Sequence, residues 1–393
     1  MHPLKHPVLL LVLLLFSMPG LAQKHINTTR LDSDLVADSI AFHYQHYKLI
    51  VEAEVNGVRG RYLIDTGAPM VISETLYEQL KPKTLYKRDV SDANGQRHKT
   101  RYVKIDKLKL GTTSFSNITA LVLDLKKIPL GCFELDGMIG SNVFHELVVH
   151  FNWQIKTMVL AKERSVLGLT KSDFKKIKFK SYQKTPLVKL GFSNITTNAI
   201  IDTGSGGFFS VSNNVLPYGK AKNTIVEQAN GAATFGVFGY NLDSKYYLLD
   251  IDSATINGVG QIKAQVTTST DKLPKLGMKL LEKSNLTIDY KKGGLIFNLT
   301  EPINRPFYTY GFELAFDGNS LIVGSVWEGS EAENKGIRPG DTIMKINDFI
   351  LEEEEVCSNF FKIGGMLKEQ DTIKVSFKKS TGIETIEFKK TLY

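Results

Sequence analysis

Cysteine is nearly absent from this chain: its 393 residues include two, Cys132 and Cys357. A disulfide-based scaffold is thereby excluded. The two fall in what are expected below to be different domains, and a chain this large needs no staple. Both therefore read as small core residues, with a bridge between them as the alternative. Long apolar runs are also missing. The run at residues 8–16 is too short to cross a bilayer, and no later segment approaches the roughly 20 apolar residues that crossing needs. It follows Lys5 and precedes Pro19-Gly20-Leu21-Ala22, the order of a charged n-region, an apolar h-region and a small-residue cleavage site. The expectation is a signal peptide over residues 1–22, cut after Ala22. The mature protein is then periplasmic or secreted, with no integral membrane segment and no cysteine at its N-terminus to carry a lipid.

Charge of one sign is not concentrated anywhere. The 49 basic and 41 acidic residues give a net charge of +8, but the lysines are scattered. The densest basic stretch, residues 175–180, alternates Lys with apolar residues as an exposed strand would, and no aromatic platform accompanies it. Nucleic acid is excluded as a partner, and at most a weak preference for anionic surfaces remains. The histidine pairs His43/His46 and His145/His150 lack a third and fourth ligand, so neither metal nor cofactor is expected. Trp153 and Trp327 stand in strand-like contexts and read as core. Asn-x-Thr triplets at Asn27, Asn117, Asn194, Asn285 and Asn298 would accept glycans only on a eukaryotic secretory route.

What is present is strand-like alternation, as at residues 49–55, punctuated by Asn56-Gly57, Asn94-Gly95, Asn230-Gly231 and Asn257-Gly258. Long amphipathic helices are scarce, so the chain is expected to be mainly β. A hexapeptide also recurs. Tyr62-Leu63-Ile64-Asp65-Thr66-Gly67 returns as Ala199-Ile200-Ile201-Asp202-Thr203-Gly204, an offset of 202 − 65 = 137. Met138-Ile139-Gly140 and Lys275-Leu276-Gly277 keep that offset, as do the strand-like segments 149–153 and 286–290. Ala93-Asn94-Gly95 and Ala229-Asn230-Gly231, offset by 136, lie between these anchors and read as hairpin tips. Four features in one order imply a repeated unit. The expected organisation is a segment 23–40, open to a pro-segment role, then lobes 41–163 and 164–300.

Hydrolysis of a peptide bond without a metal or a covalent nucleophile needs one group to deprotonate water and another to protonate the carbonyl oxygen. Two carboxylates sharing a proton supply both, because like charges at that distance cannot both ionise. Asp65 and Asp202 are the expected catalytic pair. Gly67 and Gly204 let the loops approach closely, and Thr66 and Thr203 can cross-link them through their hydroxyls. Ser205 adds a hydroxyl in the second copy. Ala93, Asn94 and Gly95 form the candidate flap. For one Asp-Thr-Gly triplet alone, a turn with an Asx hydrogen bond is the plainer reading.

Over roughly residues 45–300 the doubled hydrophobic-hydrophobic-Asp-Thr-Gly pattern, each copy followed by a hydrophobic-hydrophobic-Gly, resembles the pepsin-like and retropepsin-like aspartic peptidases. The resemblance implies two pseudo-symmetric β lobes, and a water activated between Asp65 and Asp202. Ala68-Pro69 fits the retropepsin-like branch, Lys275 stands where an apolar residue is usual, and no Tyr occupies the first hairpin tip.

Past Glu301-Pro302 the repeat stops. Gly329-Ser330-Glu331-Ala332, followed by Gly336-Ile337-Arg338-Pro339-Gly340-Asp341-Thr342-Ile343, resembles a PDZ domain, expected over residues 301–393. That pairing has a bacterial look, so glycans are not expected. The resemblance implies peptide binding at a sheet edge, with Tyr310, Gly311 and Phe312 as the loop facing the peptide terminus. Thr309 replaces the first glycine of that loop, which leaves terminal capture, internal binding and a structural role open. The reading that results is an exported aspartic endopeptidase acting on a peptide or protein substrate, with a PDZ domain for substrate or partner peptides. The alternatives are a catalytically silent peptide-binding protein that works through its PDZ domain, and lobes paired between two chains.

Overall fold

Glu52 and Glu54 turn outward from the strand Lys48–Val55 while Val51, Ala53 and Val55 are buried, which is the period-two pattern of a sheet with one covered face. The left-handed pair Asn56 and Gly57 then turns the chain into Val58–Asp65, and Asn257 and Gly258 do the same between Lys245–Ile256 and Val259–Ser269. Repeated many times, this local chemistry makes the mainly β architecture expected from the sequence. The computed structural model describes residues 26–216, 224–232 and 234–393. The expected signal peptide and its cleavage site lie outside them. Among the described residues no helix is long and apolar enough to cross a membrane.

Three sheets position the site. In the first, Val58–Asp65 lies between Lys48–Val55 and Gly137–Gly140, and Thr113–Leu123 pairs with both Val71–Ser73 and Arg97–Leu110, closing the sheet on itself. In the third, Ile195–Ile201 lies between Pro186–Phe192 and Lys275–Leu276. Leu63 faces Met138 across a parallel pair, and Ile200 faces Lys275 across another, each residue 137 beyond its counterpart. The second sheet joins the halves: Val148–Asn152 runs antiparallel to Ser284–Asp289, with His150 opposite Thr287.

The third sheet does not stop at residue 300. Ile225–Gly231 pairs with Ser320–Trp327, which carries the sheet on through Thr342–Ile346 and Thr372–Lys379 to Gly382–Lys389. Asn230-Gly231 is therefore part of a strand and not a hairpin tip. Its glycine is required for a different reason: a Cβ at Gly231 would collide with the Gly324 carbonyl on the neighbouring strand. Residues 310–388 contribute a separate apolar cluster that includes Phe312, Val323, Ile343, Ile363, Phe377 and Phe388. Trp327 is fully buried as expected, whereas Trp153 is half-buried and stacked on Phe151.

The cysteines correct the sequence reading. Cys132 and Cys357 form a disulfide. The 3₁₀ turn Leu130–Phe133 lies against the start of the helix Val356–Glu369, whose Phe361 packs on Phe133 and His46. Linear distance hides this: the two thiols are 225 residues apart. The bond ties the C-terminal region to the first sheet, and closing so long a loop stabilises by about 2–5 kcal/mol.

Candidate active site

Each Asp-Thr-Gly triplet leaves a strand whose preceding residues are buried, Leu63 and Ile64 in one case and Ile200 and Ile201 in the other. The loops then lock together. Thr66 N–H donates to Thr203 Oγ1 at 3.0 Å and Thr203 N–H to Thr66 Oγ1 at 3.1 Å. Each hydroxyl donates onward to the opposite strand, Thr66 Oγ1 to the Ile201 carbonyl at 2.7 Å and Thr203 Oγ1 to the Ile64 carbonyl at 2.8 Å. All four groups are buried, so every bond replaces a costly unpaired polar group.

This lock places each glycine against the opposite carboxylate. A methyl group on Gly67 would lie 2.6 Å from Asp202 Cγ, and one on Gly204 would overlap the carboxylate of Asp65 in the same way. The two carboxylates are thus presented to each other across the loops. Backbone donors orient both: Gly67 N–H to Asp65 Oδ1 at 2.8 Å, and Ser205 N–H to Asp202 Oδ1 at 3.0 Å. Behind the loops, Ser141 N–H donates to the Ala68 carbonyl at 3.0 Å and Met278 N–H to the Ser205 carbonyl at 2.8 Å, again 137 residues apart.

Two lysines make the halves unequal. Lys48 Nζ donates to the Gly204 carbonyl. Lys275 Nζ lies 2.7 Å from Asp271 Oδ2 and 3.9 Å from Asp202 Oδ2. Burial and the Asp202 charge push the Asp65 carboxyl up to about 7, against the Gly67 N–H and the two lysines. Burial alone would lower the Lys275 ammonium, but Asp202 and Asp271 outweigh it and hold the group above its usual range. Burial lowers Lys48. The sequence pattern marked Lys275 only as a departure; Asp271, Lys48 and the support from Gln183 Nε2 to the Gly67 carbonyl at 2.8 Å were not found. A signal existed for one of them: a lysine on a buried strand demands a carboxylate, and Asp271 stands four residues earlier.

A cleft of ≈ 870 Å³ opens over the two aspartates. Residues 92–96, at the tip of the hairpin between Thr84–Ser91 and Arg97–Leu110, reach across it. Residues 234–240 meet them from the other half. Asn94 Nδ2 donates to the carbonyls of Thr234 and Gly239 at 3.1 and 2.7 Å, Thr234 Oγ1 donates to Asn94 Oδ1 at 2.9 Å, and Phe238 N–H donates to Asp92 Oδ2 at 3.1 Å. Ala93 lines the cleft, and Gly95, at φ 75°, turns the tip. On another side Phe360 of the disulfide-tethered helix forms part of the wall.

Tyr310, Gly311 and Phe312 are not brought to this cleft. Gly311 N–H donates to Thr309 Oγ1 at 3.1 Å, and the Tyr310 hydroxyl donates to the carbonyls of Leu367 and Gln370 at 3.0 and 2.6 Å. Tyr310 and Phe312 are buried in the C-terminal core. Among the described residues no group of three or more His, Cys, Asp or Glu side chains could hold a metal.

Residues 51–143, which span the first triplet, the hairpin and the strand Gly137–Gly140, match the aspartyl protease family model. No curated protein matches the chain. Among solved structures, a retropepsin-like aspartic protease from Rickettsia conorii is similar, with 19% identity over 33% of this chain and 94% of that one and a TM-score of 0.26.

Proposed function

We propose that the protein is an exported aspartic endopeptidase that hydrolyses peptide bonds with a water molecule activated between Asp65 and Asp202. The observation that carries this reading is the mutual approach of the loops, in which each glycine lies against the opposite aspartate. At and below neutral pH the shared proton rests on Asp65, since burial and Asp202 raise its affinity for protons. The Lys275 ammonium favours leaving the negative charge on Asp202. Asp202 then takes a proton from the water as its oxygen attacks the scissile carbonyl carbon, and Asp65 gives its proton to the carbonyl oxygen. A tetrahedral diol results. Its collapse returns one proton to Asp65 from the diol, and the proton held by Asp202 passes to the leaving nitrogen. Residues 92–96 close over the cleft and exclude bulk water.

In this reading residues 41–163 and 164–300 are two lobes and residues 301–393 a PDZ domain. The strand Phe312–Asp317, whose Phe316 backbone also bonds the Tyr240 hydroxyl, and the neighbouring helix Val356–Glu369 would hold an extended peptide. Because Gly311 N–H is engaged by Thr309, an internal segment suits this groove better than a free C-terminus. Phe360 touches Phe316 and also lines the cleft, so a peptide held there is delivered to the dyad. The disulfide and the apolar leader both support an oxidising location outside the cytoplasm.

The test is digestion of a peptide library by the purified chain with and without a statine-type inhibitor. Fragments that vanish with inhibitor are expected; no cleavage at any pH from acid to neutral, or cleavage the inhibitor leaves intact, would overturn the proposal.

A further inference from the structure

Two cations of the cleft floor are engaged within the protein: Lys48 holds the Gly204 carbonyl and Lys275 holds Asp271. Lys279 and Arg305 are different. Both line the cleft, and among the described residues neither forms an ion pair. Both are fixed by the second active-site loop: Lys279 N–H donates to the Gly207 carbonyl at 3.0 Å, and the Arg305 guanidinium lies 5.0 Å from the centre of the Phe208 ring. The Lys279 ammonium sits 5.0 Å from the Tyr47 ring centre. The aromatic faces hold the cations in place without neutralising them. Among the described residues the guanidinium has one hydrogen bond, Nη1 to the Gln265 carbonyl at 3.5 Å, which leaves most of its donors unused there.

We infer that Lys279 and Arg305 form a carboxylate-binding subsite next to the dyad, on the side of the Asp202 loop. This rests on the peptidase reading and names its substrate class: peptides that place a carboxylate, from an acidic side chain or from their own C-terminus, within the reach of this pair. The charges that face the pair are consistent with it. Glu282 and Glu313 act on Lys279 from a distance but are occupied elsewhere, Glu282 by the Tyr44 hydroxyl at 2.5 Å and Glu313 by Trp327 Nε1 at 3.4 Å. Burial and then the nearby Arg305 charge lower the proton affinity of Lys279. Two adjacent cations with no ion-pair partner among the described residues repel each other, and an incoming carboxylate removes that cost while accepting from both.

The experiment compares kcat/KM for matched peptides that carry Glu or Gln at each position around the scissile bond, each with a free or an amidated C-terminus. Binding of the same peptides to full-length Asp65→Asn protein is measured in parallel by fluorescence anisotropy. The expected result is a preference of about tenfold to a hundredfold for one carboxylate source. It should fall to about one in the Lys279→Met/Arg305→Gln double variant and persist in Lys279→Arg. A preference that survives amidation assigns the side chain; one that amidation removes assigns the terminus. If wild type cleaves nothing, the peptidase reading fails, and the ratio of Kd values still decides the subsite. The inference is overturned if wild type shows no preference in either assay. It is overturned equally if the preference persists in a double variant whose melting temperature shows it folded; Lys279→Gln and Arg305→Gln singles give the same readout should the double variant not fold.

Discussion

Thr66 and Thr203 exchange backbone-to-hydroxyl hydrogen bonds across 137 residues, at 3.0 and 3.1 Å, and so set the separation of the two carboxylates. Replacing either by Val keeps the shape but leaves one buried N–H and one buried carbonyl unpaired. Each single variant should lose about 2–4 kcal/mol in urea unfolding, together with most peptide hydrolysis. Thr203→Ser should keep both.

The raised proton affinity of Asp65 fixes a sign. Its folded-state pKa, about 7, lies above the ordinary carboxylate value of 3.8, so the folded state binds more protons between the two. The stabilising contribution of this group is full below pH 3.8 and is lost as pH rises through about 7. Asp65→Asn, which cannot ionise, should gain in stability relative to wild type when unfolding is compared at pH 4 and pH 7.5. For wild type, kcat/KM should fall as pH rises through about 7.

Lys275 depresses the proton affinity of Asp65 and attracts negative charge to Asp202. Lys275→Met should therefore move the whole pH–rate profile to higher pH and lower its maximum. The variant also leaves the half-buried Asp271 without its 2.7 Å partner, so a measurable loss of stability should accompany the shift. An unmoved profile in a folded variant would assign Lys275 a structural role alone.

The clasp between residues 92–96 and 234–240 is polar and local. In Asn94→Ala three hydrogen bonds disappear, two of them to the carbonyls of Thr234 and Gly239. Hydrogen exchange should accelerate in both segments and stay unchanged in the joining strand Val148–Asn152. kcat should fall with it, because closure over the reacting atoms becomes rarer.

Much of this site was legible in the sequence because it is carried by spacing. The offset of 137 between Asp65 and Asp202 reappears as the Thr66–Thr203 exchange, and the same spacing separates His150 from Thr287 where the two halves pair. What could not be read is whatever depends on contact between segments unrelated by the repeat. Cys132 and Cys357 show no local sign of their bond, since it is created by the packing of Phe361 on Phe133. Asn230-Gly231 carries the dipeptide of a hairpin turn, yet its glycine serves the close approach to Gly324. The cations Lys48, Lys279 and Arg305 are scattered along the chain and gather only at the cleft.

The most direct test of the account is peptide hydrolysis by Asp65→Asn, Asp202→Asn and the double variant, measured from acid to neutral pH on folded protein. Two carboxylates that share one proton and one water act as a unit, so each single variant should be as inactive as the double. Hydrolysis at an undiminished rate by either single variant would contradict it.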